Sequence, residues 1–241
     1  MEKLVLDRIR SLKKLFEEGK IPTLAVHEVH PDLDKGDRIN YIYFTLPVSL
    51  NFQRSSPAMW QAALKTYEDP ETNYLFYPEK VVDTPREKVQ ADLLKHKLGL
   101  QRNKHTDIWI ALSKGFNKHF NNDPRELIKQ TDGDVEKILK IIRDELKADF
   151  PFLRGLKLSN YWLYILTKYT DVKLKNLNKI SIIPDTHIIQ STVKLGICDD
   201  KADSQKVVEE WFLLTDGSEI IPVEMHSVLW NWSRNNFLPE V

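Results

Sequence analysis

Residues 150–160 have the sequence FPFLRGLKLSN, and residues 180–188 have the sequence ISIIPDTHI. The glycine of the first stretch permits a tight turn with close approach of the backbone. The pattern after it predicts a helix from about Lys157. In the second stretch an apolar run precedes Pro184 and Asp185, which is typical of a buried segment followed by a helix start. These two stretches carry the structural signals that decide the fold.

Lys157 and Asp185 both lie at predicted helix starts, where charge has a defined effect. A lysine in a first helical turn is unusual, because the helix dipole disfavours a cation there. The same field favours the neutral amine that a nucleophile needs. Asp185 is well placed to cap its own helix, which is compatible with a chemical role. Each residue alone is most simply structural, but the pair together favours a catalytic site.

Helical patterns continue on both sides of these stretches. Apolar residues recur at helical spacing over residues 2–18, and Gly19 is a plausible stop. Residues 23–30 and 40–48 carry β-branched and aromatic side chains on either side of a polar turn, which predicts a small hairpin. Further helices are predicted over residues 58–67, 85–97, 106–119, 135–147, 184–196, 202–214 and 223–237.

Composition limits the class of protein. The 241 residues are 41% apolar and 29% charged, which is ordinary for a soluble globular chain. No apolar run approaches the roughly 20 residues that a membrane span needs. The first residues carry acids and lack the apolar core of a signal peptide. We therefore expect a cytoplasmic protein with no membrane partner.

A single cysteine, Cys198, excludes a disulfide framework and any four-cysteine metal or iron–sulfur site. The histidines form no pair at metal-ligand spacing on one helix, and no glycine-rich nucleotide motif is present. The sequence therefore predicts no metal and no cofactor.

The formal net charge is zero, with 35 basic and 35 acidic residues. Nucleic-acid-binding proteins usually have a basic balance. A local basic patch is nevertheless sufficient, because phosphate binding depends on the distribution of charge. The Gly155 turn with Arg154 is the predicted phosphate site, and Arg102 with Lys104 is a second one.

Together the two stretches resemble the signature of an enzyme family. A Gly-x-Lys-x-x-Asn turn and helix at residues 155–160, followed by an apolar segment and Asp-Thr-His at residues 185–187, is similar to the helix–hairpin–helix superfamily of DNA base-excision glycosylases. The long segment between the motifs and the lack of an iron–sulfur cluster are most similar to the archaeal 8-oxoguanine DNA glycosylase/lyases. The family's hairpin usually has a second glycine where this chain has Leu153.

The resemblance implies an all-α fold of two helical subdomains. Residues 50–150 would form one, and residues 1–49 with 151–241 the other, with a helix–hairpin–helix motif at the cleft between them. The family's nucleophilic lysine, which attacks the sugar C1′, matches Lys157. The aspartate that assists departure of the base matches Asp185. The implied partner of this monomer is duplex DNA, from which a damaged base is flipped out.

A base pocket is predicted from residues near this pair. Tyr161 lies four residues after Lys157, so it shares that helix face. In the last helix, His226 and Trp230 are also four residues apart. Gln53 lies in a segment that loosely matches the family's glutamine-bearing helix. An alternative is that Trp230, like its neighbour at 232, anchors the last helix in the core.

Two other functions remain open. The zero net charge favours an N-glycosidase that acts on a modified free nucleoside or nucleotide in salvage. A protein of the same fold that binds nucleic acid without catalysis is the second alternative. Salt-dependent binding to duplex DNA separates the first alternative from a DNA glycosylase, and turnover separates the second.

Overall fold

The computed structural model describes residues 2–23 and 28–241, and within these ranges the chain forms twelve α-helices and no β-strand. The predicted all-α class is confirmed. The helices are α1 (Glu2–Glu17), α2 (Arg38–Tyr43), α3 (Ser56–Glu68), α4 (Pro78–Asp83), α5 (Arg86–Lys95), α6 (Arg102–Phe120), α7 (Pro124–Gln130), α8 (Val135–Lys140), α9 (Leu156–Tyr169), α10 (Thr186–Lys194), α11 (Ser204–Thr215) and α12 (Met225–Arg234).

The chain divides into two compact units. Unit 1 comprises Met1–Ala25 and Leu177–Val241, and unit 2 comprises Val26–Asn176. One unit is therefore built from both ends of the chain, and its boundaries lie away from residues 49/50 and 150/151, where the sequence resemblance placed them. Lys157 belongs to unit 2 and Asp185 to unit 1.

Unit 1 has a core of apolar helix faces. Helix α10 packs against α11 and α12, and α1 packs against the same two helices. Trp211 is fully buried, and its indole N–H donates to the Thr192 hydroxyl at 2.9 Å. The Ser191 hydroxyl donates to the Leu229 carbonyl at 2.9 Å, which joins α10 to α12. These bonds between buried polar groups fix the position of α10 within the unit.

Unit 2 is centred on α6, which packs against α4, α5 and α7. Trp109 and Trp162 are fully buried. The Trp162 indole N–H donates to the Thr45 hydroxyl at 2.9 Å, so α9 is joined to the segment after α2. The Asn40 amide donates to the Tyr169 carbonyl at 2.9 Å. Because these contacts tie residues 40–45 to α9, both segments belong to unit 2 and the boundaries move away from the predicted ones.

The predicted hairpin of residues 23–30 and 40–48 is wrong in the part that the structure describes. Residues 24–27 of its first strand lie outside the described residues. The second strand, residues 40–48, is helical, because α2 is followed by a short 3-10 helix at Pro47–Leu50. Tyr43 stacks on Phe76, with ring centroids 5.4 Å apart, and its neighbour Phe44 stacks on Tyr169 at 4.7 Å. Packing of these rings decides the conformation, whereas their composition alone favours a strand.

Candidate active site

The Gly155 turn has the tight backbone that its sequence predicts. The Gly155 N–H donates to the Phe152 carbonyl at 2.9 Å, and the Arg154 N–H donates to the Phe150 carbonyl at 3.1 Å. Gly155 itself is extended, with φ −66° and ψ 146°. A β-carbon there would lie 3.1 Å from the Phe152 carbonyl oxygen. Glycine is therefore favoured by close approach of the backbone, while the left-handed conformation belongs to Phe152, with φ 64°.

Lys157 is the second residue of α9, and its side chain is exposed. The first turn of this helix contains no acidic residue, and its N-cap, Gly155, has no side chain to cap it. None of the ion pairs that the described residues form engages Lys157. The amine therefore lies near the positive end of the helix dipole without a carboxylate partner among the described residues.

A half-buried cation supports the start of α9. The guanidinium of Arg143 donates to the Ser159 hydroxyl from Nε at 2.9 Å, and Ser159 donates to the Gly155 carbonyl at 2.9 Å. Burial lowers the pKa of Arg143 from its ordinary value. Arg143 lies in a π-helical turn, Ile141–Glu145, that continues α8. The sequence alone does not reveal this support, since a single arginine in an amphipathic helix has no distinguishing spacing.

Asp185 is the N-cap of α10, as its position after Pro184 predicts. Its Oδ1 accepts a hydrogen bond from the Ile188 N–H at 2.9 Å. The side chain is half-buried, and the preceding apolar run is buried, as predicted. Among the described residues no donor contacts Oδ2. One oxygen therefore caps the helix, and the second is available to stabilise a positive charge.

Two helices of unit 1 bring other predicted residues near Asp185. His187 on α10 makes a T-shaped contact with Trp230 on α12, with ring centroids 5.5 Å apart. The Arg234 guanidinium lies 5.5 Å from the centroid of the Trp230 ring. Trp230 is half-buried, and His226 one turn before it is also half-buried. Trp230 is thus an accessible ring beside the helix that Asp185 caps, as a base pocket requires.

The neighbouring tryptophan has a different role. Trp232 is 1% exposed, and its indole N–H donates to the Pro239 carbonyl at 2.9 Å. The sequence left both tryptophans as possible core anchors, and the structure assigns that role to Trp232.

Tyr161 is 7% exposed, so its ring offers little surface to a base. Its hydroxyl accepts from the Trp60 indole N–H at 3.0 Å and donates to Glu28 Oε1 at 3.2 Å. Burial, together with the Glu28 carboxylate, raises the pKa of Tyr161 well above its usual range. Glu28 also accepts from the Tyr169 hydroxyl at 2.5 Å. The side chain therefore packs inside unit 2, although it does share the helix with Lys157.

We expect Tyr161→Phe to lower the free energy of unfolding by about 1–3 kcal/mol, because the buried Trp60 N–H loses its acceptor. Urea denaturation measures the change. Tyr67→Phe is the matched control, since the Tyr67 hydroxyl makes no hydrogen bond to the described residues, and it should cost less than about 0.5 kcal/mol. If Tyr161→Phe left stability unchanged but weakened lesion binding, the side chain would belong to the base pocket instead.

The remaining predicted residues lie in unit 2, and one of them contacts the Gly155 turn. Gln53 is exposed in the loop before α3, and its side-chain oxygen accepts from the Gln101 amide at 3.3 Å. Arg102 opens α6 and donates to Gln90 Oε1 at 2.8 Å. Lys104 Nζ lies 4.8 Å from the ring centroid of Phe152, inside the Gly155 turn.

Four exposed cations of unit 2 are defined here as its basic surface: Arg102 and Lys104 in the first turn of α6, and Arg154 and Lys157 at the Gly155 turn. The Arg154 guanidinium donates only to the Lys147 carbonyl, at 3.0 Å, among the described residues. Basic residues outnumber acidic ones in unit 2, and the reverse holds in unit 1. Although the net charge of the chain is zero, the basic surface carries the positive charge that phosphate binding needs.

His105 lies beneath this surface. Its Nδ1 accepts from the Leu100 N–H at 3.1 Å, and its ring makes a T-shaped contact with Phe52 at 5.1 Å. Burial is the main cause that lowers its pKa to about 4, and the nearby Arg54 and Lys104 lower it further. His105 is therefore neutral at pH 7 and adds no charge to the basic surface.

His105 should make unfolding depend on pH. Its pKa of about 4 in the folded chain lies below the ordinary value of 6.5, so the unfolded chain binds a proton first as the pH falls. The stability that neutral His105 contributes is present above pH 6.5 and is lost as the pH falls towards 4. We expect the stability difference between the native chain and His105→Asn, which keeps an acceptor for Leu100, to shrink by up to about 1.4 kcal/mol per pH unit. A constant difference in urea denaturation between pH 7 and 4.5 would contradict this assignment.

Comparison with known proteins gives no family for the chain: no protein-family model matches it, and no curated protein matches it. Among the described residues no helix has the length and apolar character that crossing a bilayer requires.

Proposed function

We propose that the chain is a DNA glycosylase with lyase activity, of the helix–hairpin–helix kind. The observation that carries the proposal is the exposed amine of Lys157 in the first turn of α9, directly after the tight Gly155 turn and with no acidic residue in that turn. An amine that is free of an ion pair and lies at a helix start is suited to nucleophilic attack.

The proposed reaction begins when the Lys157 amine attacks C1′ of the damaged nucleotide. The bond between C1′ and the base nitrogen breaks, and the base leaves with the electron pair and then takes a proton. Opening of the sugar gives a Schiff base between Nζ and C1′, which allows elimination of the 3′ phosphate. Positive charge develops at the sugar during the first step, and the free Oδ2 of Asp185 would stabilise it.

Duplex DNA is the proposed partner because of the basic surface. The cations at Arg102, Lys104, Arg154 and Lys157 are exposed, and two of them flank the exposed backbone of the Gly155 turn. Contacts of this kind hold the phosphate backbone and position the enzyme on it. An oxidised purine such as 8-oxoguanine is the proposed lesion, in keeping with the sequence resemblance.

The test is a screen of duplex oligonucleotides that carry one 8-oxoguanine, one uracil or one abasic site, with free 8-oxoguanosine in parallel. A DNA glycosylase/lyase should release the base and cleave the strand of at least one duplex. Hydrolysis of the free nucleoside alone would favour the salvage N-glycosidase. Salt-dependent binding to duplex DNA without turnover would favour the non-catalytic alternative.

A further inference from the structure

A hollow in unit 2 lies between α6 and the Gly155 turn. Its volume is about 530 Å³, and it opens to the solvent. Ile108 and Ala111 of α6 lie on one side, and Pro151 with Phe152 of the turn on the other. Asn103 and Lys104 also line it. This open hollow combines an aromatic ring, aliphatic side chains and a few polar groups, which is the mixture of surfaces that binds small ligands.

The ring of Phe152 is held in place at an energetic cost. Phe152 has φ 64°, a region that bulky residues rarely adopt. Its ring stacks on Phe52, with centroids 4.5 Å apart and planes 18° apart. Lys104 Nζ lies 4.8 Å from both centroids. The stack and the cation therefore fix an aromatic surface next to the phosphate site.

The polar groups at the hollow indicate the charge of its ligand. The Asp107 carboxylate also lines the hollow, but Arg86 pairs with it at 2.7 Å. Lys104 is exposed and has no carboxylate partner among the described ion pairs. The Asn103 side-chain oxygen accepts from the Gln90 amide at 3.0 Å, so its own NH₂ group is left to donate. The hollow thus offers a ring to stack on, a cation and an amide donor.

We propose that this hollow binds one unpaired nucleotide of a DNA strand. The base stacks on Phe152, its edge carbonyl or ring nitrogen accepts from the Asn103 amide, and the adjoining phosphate lies against Lys104. Such stacking on aromatic rings beside a basic groove is how proteins hold single-stranded DNA. The choice of a DNA strand as the ligand rests on the proposed function. In that function the hollow would hold a nucleotide that is adjacent to the damaged one and has left the double helix.

The experiment measures the affinity of fluorescein-labelled (dT)₈ and of a blunt eight-base-pair duplex by fluorescence anisotropy. Loss of base stacking costs about 1–3 kcal/mol, so Phe152→Leu should weaken binding of (dT)₈ by roughly 5-fold or more. Duplex binding should change less than about 2-fold. Lys104→Gln should lower the salt dependence for (dT)₈ by about 0.7 in slope. Lys114→Gln, an exposed lysine further along α6, is the matched control and should leave both affinities unchanged.

Ala111→Leu fills the hollow without altering either ring, so it should also weaken (dT)₈ binding. It therefore tests the hollow independently if Phe152→Leu fails to fold. Circular dichroism verifies that each variant is folded. Equal losses for both DNAs, or unchanged (dT)₈ affinity in folded Phe152→Leu and Ala111→Leu, would overturn the proposal. Competition by free dTMP as strong as that of (dT)₈ would assign the hollow to a free nucleotide and overturn it too. Borohydride trapping on an abasic-site duplex, followed separately, shows whether the glycosylase/lyase proposal itself holds.

Discussion

Lys157→Gln is expected to abolish the covalent complex that borohydride traps on an abasic-site duplex. The proposed Schiff base forms only at a primary amine, and glutamine has a similar length without a nucleophilic nitrogen. Loss of a covalent nucleophile should reduce strand cleavage on the order of 10⁴-fold or more. Gel electrophoresis of the trapped complex and of the cleaved strand measures both effects.

Lys168→Gln is the matched control for this experiment. Lys168 is an exposed lysine near the C-terminal end of the same helix, α9, so a loss of charge on that helix is reproduced without a change at its start. Trapping should be normal in this variant. If Lys157→Gln kept normal trapping while a different lysine or the N-terminal amine carried the adduct, the nucleophile would lie elsewhere and the proposed reaction would fail.

Asp185→Asn is expected to lower turnover on a lesion duplex by about 10²–10³-fold, the scale seen when one electrostatic stabiliser of a transition state is lost. Asparagine caps a helix about as well as aspartate, so the hydrogen bond from the Ile188 N–H should persist. Affinity for DNA and melting temperature should therefore change little. Single-turnover kinetics with a saturating excess of enzyme measure the effect directly.

Two further variants separate catalysis from capping at Asp185. Asp203 caps α11 in the same unit, with its Oδ1 accepting from the Lys206 N–H at 2.8 Å, and Asp203→Asn should leave turnover unchanged. Asp185→Ala removes the cap as well as the charge, and it should lower stability by about 1 kcal/mol. If Asp185→Asn turned over normally while Asp185→Ala merely melted earlier, Asp185 would be a cap and nothing more.

Local signals in the sequence predicted the helix starts around the candidate site. Gly155 and Pro184 mark the beginnings of α9 and α10, and the capping role of Asp185 follows from residue type and position alone. The buried run before Asp185 follows from its hydrophobicity. These features depend on neighbours in sequence, so they required no knowledge of what packs against them.

Features that depend on distant residues could not be predicted in this way. Tyr161 shares a helix with Lys157, but spacing does not reveal that Trp60 and Glu28 surround its hydroxyl. The stack of Phe52 on Phe152 joins residues 100 positions apart and has no periodic pattern. The unit boundaries were misplaced for the same reason, because the contacts of α2 with α7 and α9 are invisible in the local sequence.

The construction of unit 1 from both ends of the chain has a consequence for biosynthesis. Unit 2 is one continuous segment, so all of its helices are synthesised before α10. Helix α1, which buries Ile9 and Leu12, is synthesised before unit 2, whereas α11 and α12, which pack against α1, are synthesised after it. During translation the apolar face of α1 therefore stays exposed until α11 and α12 have been made. Chaperones that bind nascent chains are suited to cover such a face in the meantime.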